Sequence, residues 1–184
     1  IITYLKHKLF PNKYSRVDIE PYYEGFKGDI IKIEEQKYLI KDKYKQDSYD
    51  TITITELPIG VWTSNYKEHI ETLQDNKDKK GRKKKPIIKN YVDNCTDTEV
   101  DIKIKFNTGV LSDLLTKKVT ENINGLEKIL KLTTTKKTTN MWLFDENQQL
   151  RKYKTVYEII DKYYPIRIDI YKKRKANLIK EYER

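Results

Sequence analysis

A single cysteine, Cys95, among 184 residues excludes an internal disulfide and fits a reducing compartment. The only histidines, His7 and His69, lie far apart and have no partner at ligand spacing, which argues against a zinc site or a histidine acid–base pair. Glycine is scarce, and Gly25-x-x-Gly28 lacks the following Lys-Ser or Lys-Thr of a phosphate-cradling loop. No serine stands in a nucleophile-elbow context, and Cys95 has no nearby histidine. No apolar run approaches the length of a membrane span, and Ile1-Ile2 is soon followed by Lys6 and His7, so a soluble chain with no membrane partner is expected. The start at Ile1 rather than Met suggests a piece of something longer. These absences leave no complete active site: no catalytic residue and no metal ligand is nominated.

What the chain has instead is charge and tyrosine. Charged residues make up 36% and the hydrophobic set 37%, a balance that allows a core beneath a very polar surface in one domain with a helical extension. Tyrosine occurs 15 times and alanine once, which AT-rich coding would produce, so part of the lysine excess is discounted as compositional drift. A net charge of +10 still points to a polyanionic partner.

The chain is organised around Thr51 to Leu73, TITITELPIGVWTSNYKEHIETL. Thr51 to Ile54 alternate as a half-buried strand, Pro58 and Gly60 make a turn, and Tyr66, Ile70 and Leu73 follow at helical spacing. Thr63 or Ser64 is expected to cap that helix, with Trp62 at the joint. Upstream, residues 1–10 read as a helix with Ile2, Leu5 and Leu9 on one face. Residues 28–41 read as an antiparallel hairpin turning at Glu34-Glu35-Gln36, and with the Thr51 strand they are expected to form a meander with one wet face. Downstream, Val100, Ile102, Ile104 and Phe106 point inward from a strand whose Asp101, Lys103 and Lys105 point outward. Asp101-Ile102-Lys103 has the D-x-K shape of some metal-dependent nucleases, but no second acidic ligand is specified. Val110 to Leu115 suggests a short helix, residues 122–125 a turn, and residues 126–153 further strands around Ile129 to Leu132, Met141 to Phe144 and Leu150.

Two basic segments stand out. Lys77 to Pro86 contains Arg82, Lys83, Lys84 and Lys85 and too little apolar surface to bury, so it is expected to be a mobile loop. It can be a solvated loop, a nuclear-import signal or a phosphate-binding arm, and the last is preferred. Thr133 to Thr139, with Lys136 and Lys137, can grip a nucleic-acid backbone or serve as a lysine-protected sheet edge. At the C-terminus, Thr155 and Glu158 form a capping box before Ile159 and Ile160. The helix is expected to reach about Tyr164, meet Pro165, and resume with a kink through a further ~28 Å carrying Ile170, Tyr171, Arg174, Leu178 and Tyr182 at helical spacing.

Glu56-Leu57-Pro58, Trp62-Thr63 and Tyr66-Lys67-Glu68 resemble the ELP-x-x-x-WT-x-x-YKE signature of eukaryotic-type type IIA DNA topoisomerases, in the tower or shoulder of the DNA gate. Matches flank it in order: Phe26-Lys27-Gly28, Thr96-Asp97-Thr98, Lys131-Leu132-Thr133, Asn140-Met141, Leu143-Phe144-Asp145, Lys152-Tyr153, Arg167 and Lys173-Arg174-Lys175. The resemblance covers nearly the whole chain. It implies an α+β fold, an antiparallel sheet with packed helices. Residues 1–154 would form the tower domain, with the basic loop at 76–86, and residues 155–184 would be helices leading into a coiled-coil arm.

The resemblance further implies a part of an ATP-dependent enzyme that changes DNA topology by double-strand breakage, passage and rejoining. The ATPase, the Mg²⁺ site and the catalytic tyrosine would lie ahead of this segment, which needs no cofactor of its own. The partners implied are double-stranded DNA and a second copy in the full-length homodimer, with no small-molecule substrate in this part. The location implied is the nucleus, or the site of viral DNA replication. The DNA-contacting candidates are Lys27, Arg82, Lys83, Lys84, Lys85, Lys136 and Lys137. Two other readings compete: a free-standing single-strand-binding module stacking bases on Tyr22, Tyr23 and Tyr38, and a purely structural spacer.

Overall fold

A computed structural model describes residues 1–75 and 85–183. The chain runs α1 (Ile2–Leu9), β1 (Asp29–Glu34), β2 (Lys37–Lys41), β3 (Tyr44–Gln46), β4 (Thr51–Ile54) and α2 (Thr63–Asp75). It continues through β5 (Ile88–Asp93), β6 (Ile102–Phe106), α3 (Val110–Thr116), β7 (Lys118–Thr120), β8 (Ile123–Asn124) and α4 (Gly125–Ile129). The last elements are β9 (Thr133–Lys137), β10 (Trp142–Phe144), β11 (Leu150–Lys152) and α5 (Val156–Tyr182). This is the α+β arrangement expected. It divides into two compact units, one of residues 21–136 and one of residues 1–20 with 137–184. The expectation of a mobile basic loop, and with it Arg82, Lys83 and Lys84, falls outside the described residues.

The larger unit is built on a four-stranded antiparallel sheet in the order β3-β4-β6-β5. Ile52 pairs with Ile104 and Ile54 with Ile102, and all four side chains are fully buried. The alternation of β6 puts Ile102, Ile104 and Phe106 inward and leaves Lys103 and Lys105 in water, where they pair with Asp47 and Asp50 at 3.8 and 3.6 Å. Tyr66 and Ile70 of α2, Leu111 and Leu114 of α3, and Leu126, Leu130 and Leu132 join the same core. Each such aliphatic side chain contributes about 1.5–3 kcal/mol by leaving water.

Three local expectations differ from what is found here. The hairpin β1–β2 forms with Gln36 in the turn, yet it pairs into a separate sheet, β1-β2-β9, so no meander joins it to β4. The buried Asp42 turns the chain away, its N–H donating to the Leu132 carbonyl at 3.0 Å, and β3 then folds back on β4. Residues 125–129 are helix rather than strand, and residues 123–125, expected as turn, are β8 and the start of α4. The reason is a capping box. The Asn124 side chain accepts from the Glu127 N–H at 2.9 Å, and the Glu127 carboxylate accepts from the Asn124 N–H at 3.0 Å. Lastly, the Tyr66 N–H donates to the Trp62 carbonyl at 3.0 Å, so the capping position of α2 falls on Trp62 and not on Thr63 or Ser64.

Gly28 shows why the Phe26-Lys27-Gly28 motif needs its glycine. A Cβ there would stand 2.4 Å from the Lys41 carbonyl oxygen, which belongs to the facing strand. Lys41 in turn forms an ion pair with the buried Glu127 at 2.7 Å, anchoring the hairpin to the α4 cap.

The smaller unit buries Tyr4, Tyr153 and Ile160, a smaller and more aromatic core. Tyr4 is the buried residue of α1, while Ile2 and Leu9, expected to face inward, are exposed. Tyr4 packs its ring 5.1 Å from that of Tyr157 and donates its hydroxyl to Asp161 at 2.9 Å, a pull that rotates the helix onto its tyrosine. Lys8 also pairs with Asp161 at 2.9 Å, holding that carboxyl below its usual range against the opposing effect of burial. β10 and β11 form an antiparallel hairpin, as the sequence suggests. α5 is one helix of 27 residues with Pro165 inside it, not two segments broken near Tyr164. The Thr155 hydroxyl caps the Glu158 N–H at 3.2 Å, but the Glu158 carboxylate reaches back to the Lys154 N–H rather than to Thr155.

Asp42 is the buried carboxyl to watch. Burial lifts its pKa to about 7, Glu56 adds to the rise, and the Lys43 N–H opposes it. A carboxyl raised above its unfolded value stabilises the fold at acid pH, and that contribution disappears as pH climbs through the folded pKa. Asp42→Asn should therefore flatten the loss of stability between pH 5 and pH 8, an effect on the order of 2–3 kcal/mol at most, read by urea unfolding at both pH values. An unchanged pH slope in the variant would assign the dependence elsewhere.

Candidate nucleic-acid interface

The ELP turn and the Lys131 corner form facing walls of one cleft. On the first wall Leu57 and Pro58 are buried, the Val61 N–H donates to the Pro58 carbonyl at 3.0 Å, and Gly60 takes φ +90°. Only glycine holds that conformation without cost, and the turn delivers Trp62 to the start of α2. On the second wall α4 ends and Lys131 adopts φ +51°, held by its N–H to the Lys128 carbonyl at 3.3 Å. The Leu132 N–H donates to the Glu127 carbonyl at 2.9 Å, which fixes the entry of β9. The Thr134 hydroxyl then donates across to the Ile59 carbonyl at 3.3 Å.

Between these walls lies a cleft of about 310 Å³ lined by Gly60 to Trp62, Asn65, Tyr66, His69, Lys131, Thr133 and Thr134. Lys136 overhangs it: its Nζ is 3.0 Å from where a Cβ on Gly60 would be. No carboxylate lines the cleft, and among the described residues neither Lys131 nor Lys136 forms an ion pair. The His69 Nε2–H donates to the Ile129 carbonyl at 2.8 Å, and burial together with Lys131 lowers its pKa, so it adds no charge near neutral pH. The Lys67 and Asp93 pair braces α2 against β5 behind the cleft, and that pairing holds Asp93 down to about 2.

The nominated residues separate. Strand alternation puts Lys136 on the same side of β9 as Thr134, facing the ELP turn, and Lys137 on the opposite side. Lys27 is exposed on another cleft, of about 520 Å³, where Glu56, Glu99 and Asp101 surround it and its own N–H donates to both Glu56 oxygens at 3.1 Å. Lys85 is exposed ahead of β5. Tyr38, nominated for stacking, is only 8% exposed and offers no ring face. Trp62 and Lys131, which line the cleft, are not among the residues nominated from the sequence. A tryptophan beside a Pro-x-Gly turn and a lysine leading into a threonine run were the available signals. Among the described residues no group of three or more His, Cys, Asp or Glu side chains could hold a metal ion, and no helix is long and apolar enough to cross a membrane.

An antiparallel α+β scaffold with a cationic, carboxylate-free cleft is the class that fold and site define. Comparison with known proteins narrows it: the profile of the DNA gyrase/topoisomerase IV A-subunit family matches residues 1–184, and the chain belongs to that family. DNA topoisomerase 2 of Pisum sativum is 34% identical over 164 residues, covering 89% of this chain and 10% of the relative. That of Acanthamoeba polyphaga mimivirus is 28% identical over 217 residues, covering 90% of this chain and 17% of the relative. The crystal structure of the Plasmodium falciparum topoisomerase II DNA-binding, cleavage and re-ligation domain superposes with a TM-score of 0.77 at 34% identity, over 97% of this chain and 22% of that one. The chain thus spans a small part of the length of its relatives.

Gly60 makes the cleft geometry testable. Gly60→Ala forces a side chain into a left-handed conformation and into Lys136, so it should cost about 1–2 kcal/mol of stability, measured by thermal unfolding. A neutral outcome would mean the turn relaxes freely.

Proposed function

We propose that this chain is the tower, or shoulder, part of a type II DNA topoisomerase, an enzyme that breaks, passes and rejoins double-stranded DNA. Its part is to hold the duplex arms that flank the break, by contacts to phosphates that read no bases. The observation that carries this reading is the cleft between the ELP turn and β9, cationic and free of carboxylates, in a fold shared with a DNA-binding and cleavage domain. Bending ~20–30 base pairs costs of order 1–6 kcal/mol, so several charge-assisted contacts are needed to hold the bend. Lys136, Lys137, Lys85 and the Arg82 to Lys84 run supply them, with a smaller part for Lys27 among its carboxylates.

ATP hydrolysis, magnesium and the cleaving tyrosine belong to other parts of such an enzyme. Residues 155–184 lead toward a coiled-coil arm of a homodimer. Ile166, Ile170, Leu178 and Tyr182 of α5 are all exposed at helical spacing, as an arm awaiting a partner helix requires. The nucleus or a site of viral DNA replication is the fitting location.

A salt titration of affinity for a ~30-base-pair duplex and its matching single strand tests this reading. Duplex preference is expected, with a steep dependence on salt whose slope falls by about 0.9 for each phosphate interaction removed by Lys136→Ala, Lys137→Ala or alanines at Arg82 to Lys85. Preference for the single strand, or negligible binding to both, would overturn it.

A further inference from the structure

We infer that the cleft between the ELP turn and β9 seats one sugar–phosphate unit of the DNA backbone, with Lys131 and Lys136 on the phosphate and the Trp62 ring against the deoxyribose. The inference rests on the DNA-support reading and assigns it a particular pocket with two residues that reading does not use, Trp62 and Lys131.

Four observations converge. Trp62 is 76% exposed although Leu57, Pro58 and Tyr66 around it are buried, so a large apolar ring stands in water at the mouth of a cleft. Such a ring is poorly placed unless something covers it, and a deoxyribose edge offers an apolar surface of matching scale. Lys131 takes a left-handed backbone conformation, unfavourable for a lysine, which aims it at the same cleft opposite the tryptophan. Lys136 stands over the turn close enough to Gly60 that even a methyl group there would crowd it. Neither ammonium has a carboxylate partner among the described residues, so both remain available to an incoming anion.

The cleft is also rigid where it needs to be. Its walls are tied by the Thr134 hydroxyl to the Ile59 carbonyl and by His69 to the Ile129 carbonyl, so the two lysines and the ring are positioned before a ligand arrives. The contrast with the Lys27 cleft sharpens the assignment. There three carboxylates would repel a phosphate, whereas here the remaining polar groups are the Asn65 amide and the Thr133 and Thr134 hydroxyls, which suit phosphate or sugar oxygens.

The test uses the full chain with Trp142→Phe, so that Trp62 is the only indole. Duplex is added while anisotropy of the labelled DNA and Trp62 emission are followed together. Trp62 emission should change saturably with the same midpoint as binding. Lys131→Ala should lower the salt slope by about 0.9, the share of one phosphate. Trp62→Ala should weaken duplex affinity several-fold at an unchanged salt slope, with Trp62→Phe recovering part of it. Inorganic polyphosphate should bind the lysines and leave Trp62 emission as it was. Duplex binding that leaves Trp62 emission, Lys131→Ala and Trp62→Ala all silent would overturn this seat while leaving the DNA-support reading intact. An equal emission change with polyphosphate would overturn the sugar contact. Absence of duplex binding at low salt would overturn both.

Discussion

The pairing of β4 with β6 is the constraint on which the larger unit depends. Ile52 against Ile104 and Ile54 against Ile102 make a fully buried aliphatic ladder, and Leu57, Tyr66, Ile70, Ile88, Phe106, Leu111, Leu126 and Leu130 belong to the same core cluster. Because side chains alternate with a period of two, slipping this pair by one residue would bury Lys103 and Lys105 and expel the isoleucines. The register is therefore fixed by a penalty on the wrong arrangement as much as by the stability of the right one. Once β4 is fixed, the chain that leaves it through Leu57-Pro58 has one direction to go, and α2 follows with Tyr66 and Ile70 inward.

Elements whose information is local were legible in the sequence. The alternation of β6, the hairpins β1–β2 and β10–β11 and the helix α3 are all written in neighbouring residues. What was not legible depends on distant partners. Ile129, Leu130 and Leu132 are as apolar as a buried strand, and a short apolar run cannot separate strand from helix by period alone. The Asn124 and Glu127 pair held the deciding signal, but it is recognised only when those residues are read as a start rather than a turn. The division of the expected meander rests on Asp42 meeting Leu132, ninety residues away along the chain, and no local pattern carries that. Tyr4 displaced Ile2 and Leu9 from the inner face of α1 for the same reason: its partners, Tyr157 and Asp161, lie at the far end of the chain.

The candidate site was half legible. Lysines were found by counting, and Lys136 does overhang the cleft, but counting cannot tell which side of a strand a lysine takes. Lys136 and Lys137 are neighbours in sequence and face opposite ways. Nor does composition show that Lys27 stands among Glu56, Glu99 and Asp101, acids drawn from two separate loops. The family-like spacing of Glu56 to Glu68 marked the segment that supplies one wall of the cleft. The opposite wall, at Lys131, comes from a positive φ that only the packed structure reveals.

Pro165 gives α5 a mechanical character. Lacking an N–H, it leaves the Asp161 carbonyl without its helical donor, so the rod is softest one turn before the proline. The side chain of that same Asp161 is clamped by Tyr4 and Lys8 of α1. A beam held at its weakest section behaves as a lever with a fixed fulcrum: the stretch ahead of Pro165 stays with α1, and any load on the outer seventeen residues becomes deflection about that point rather than strain along the whole rod.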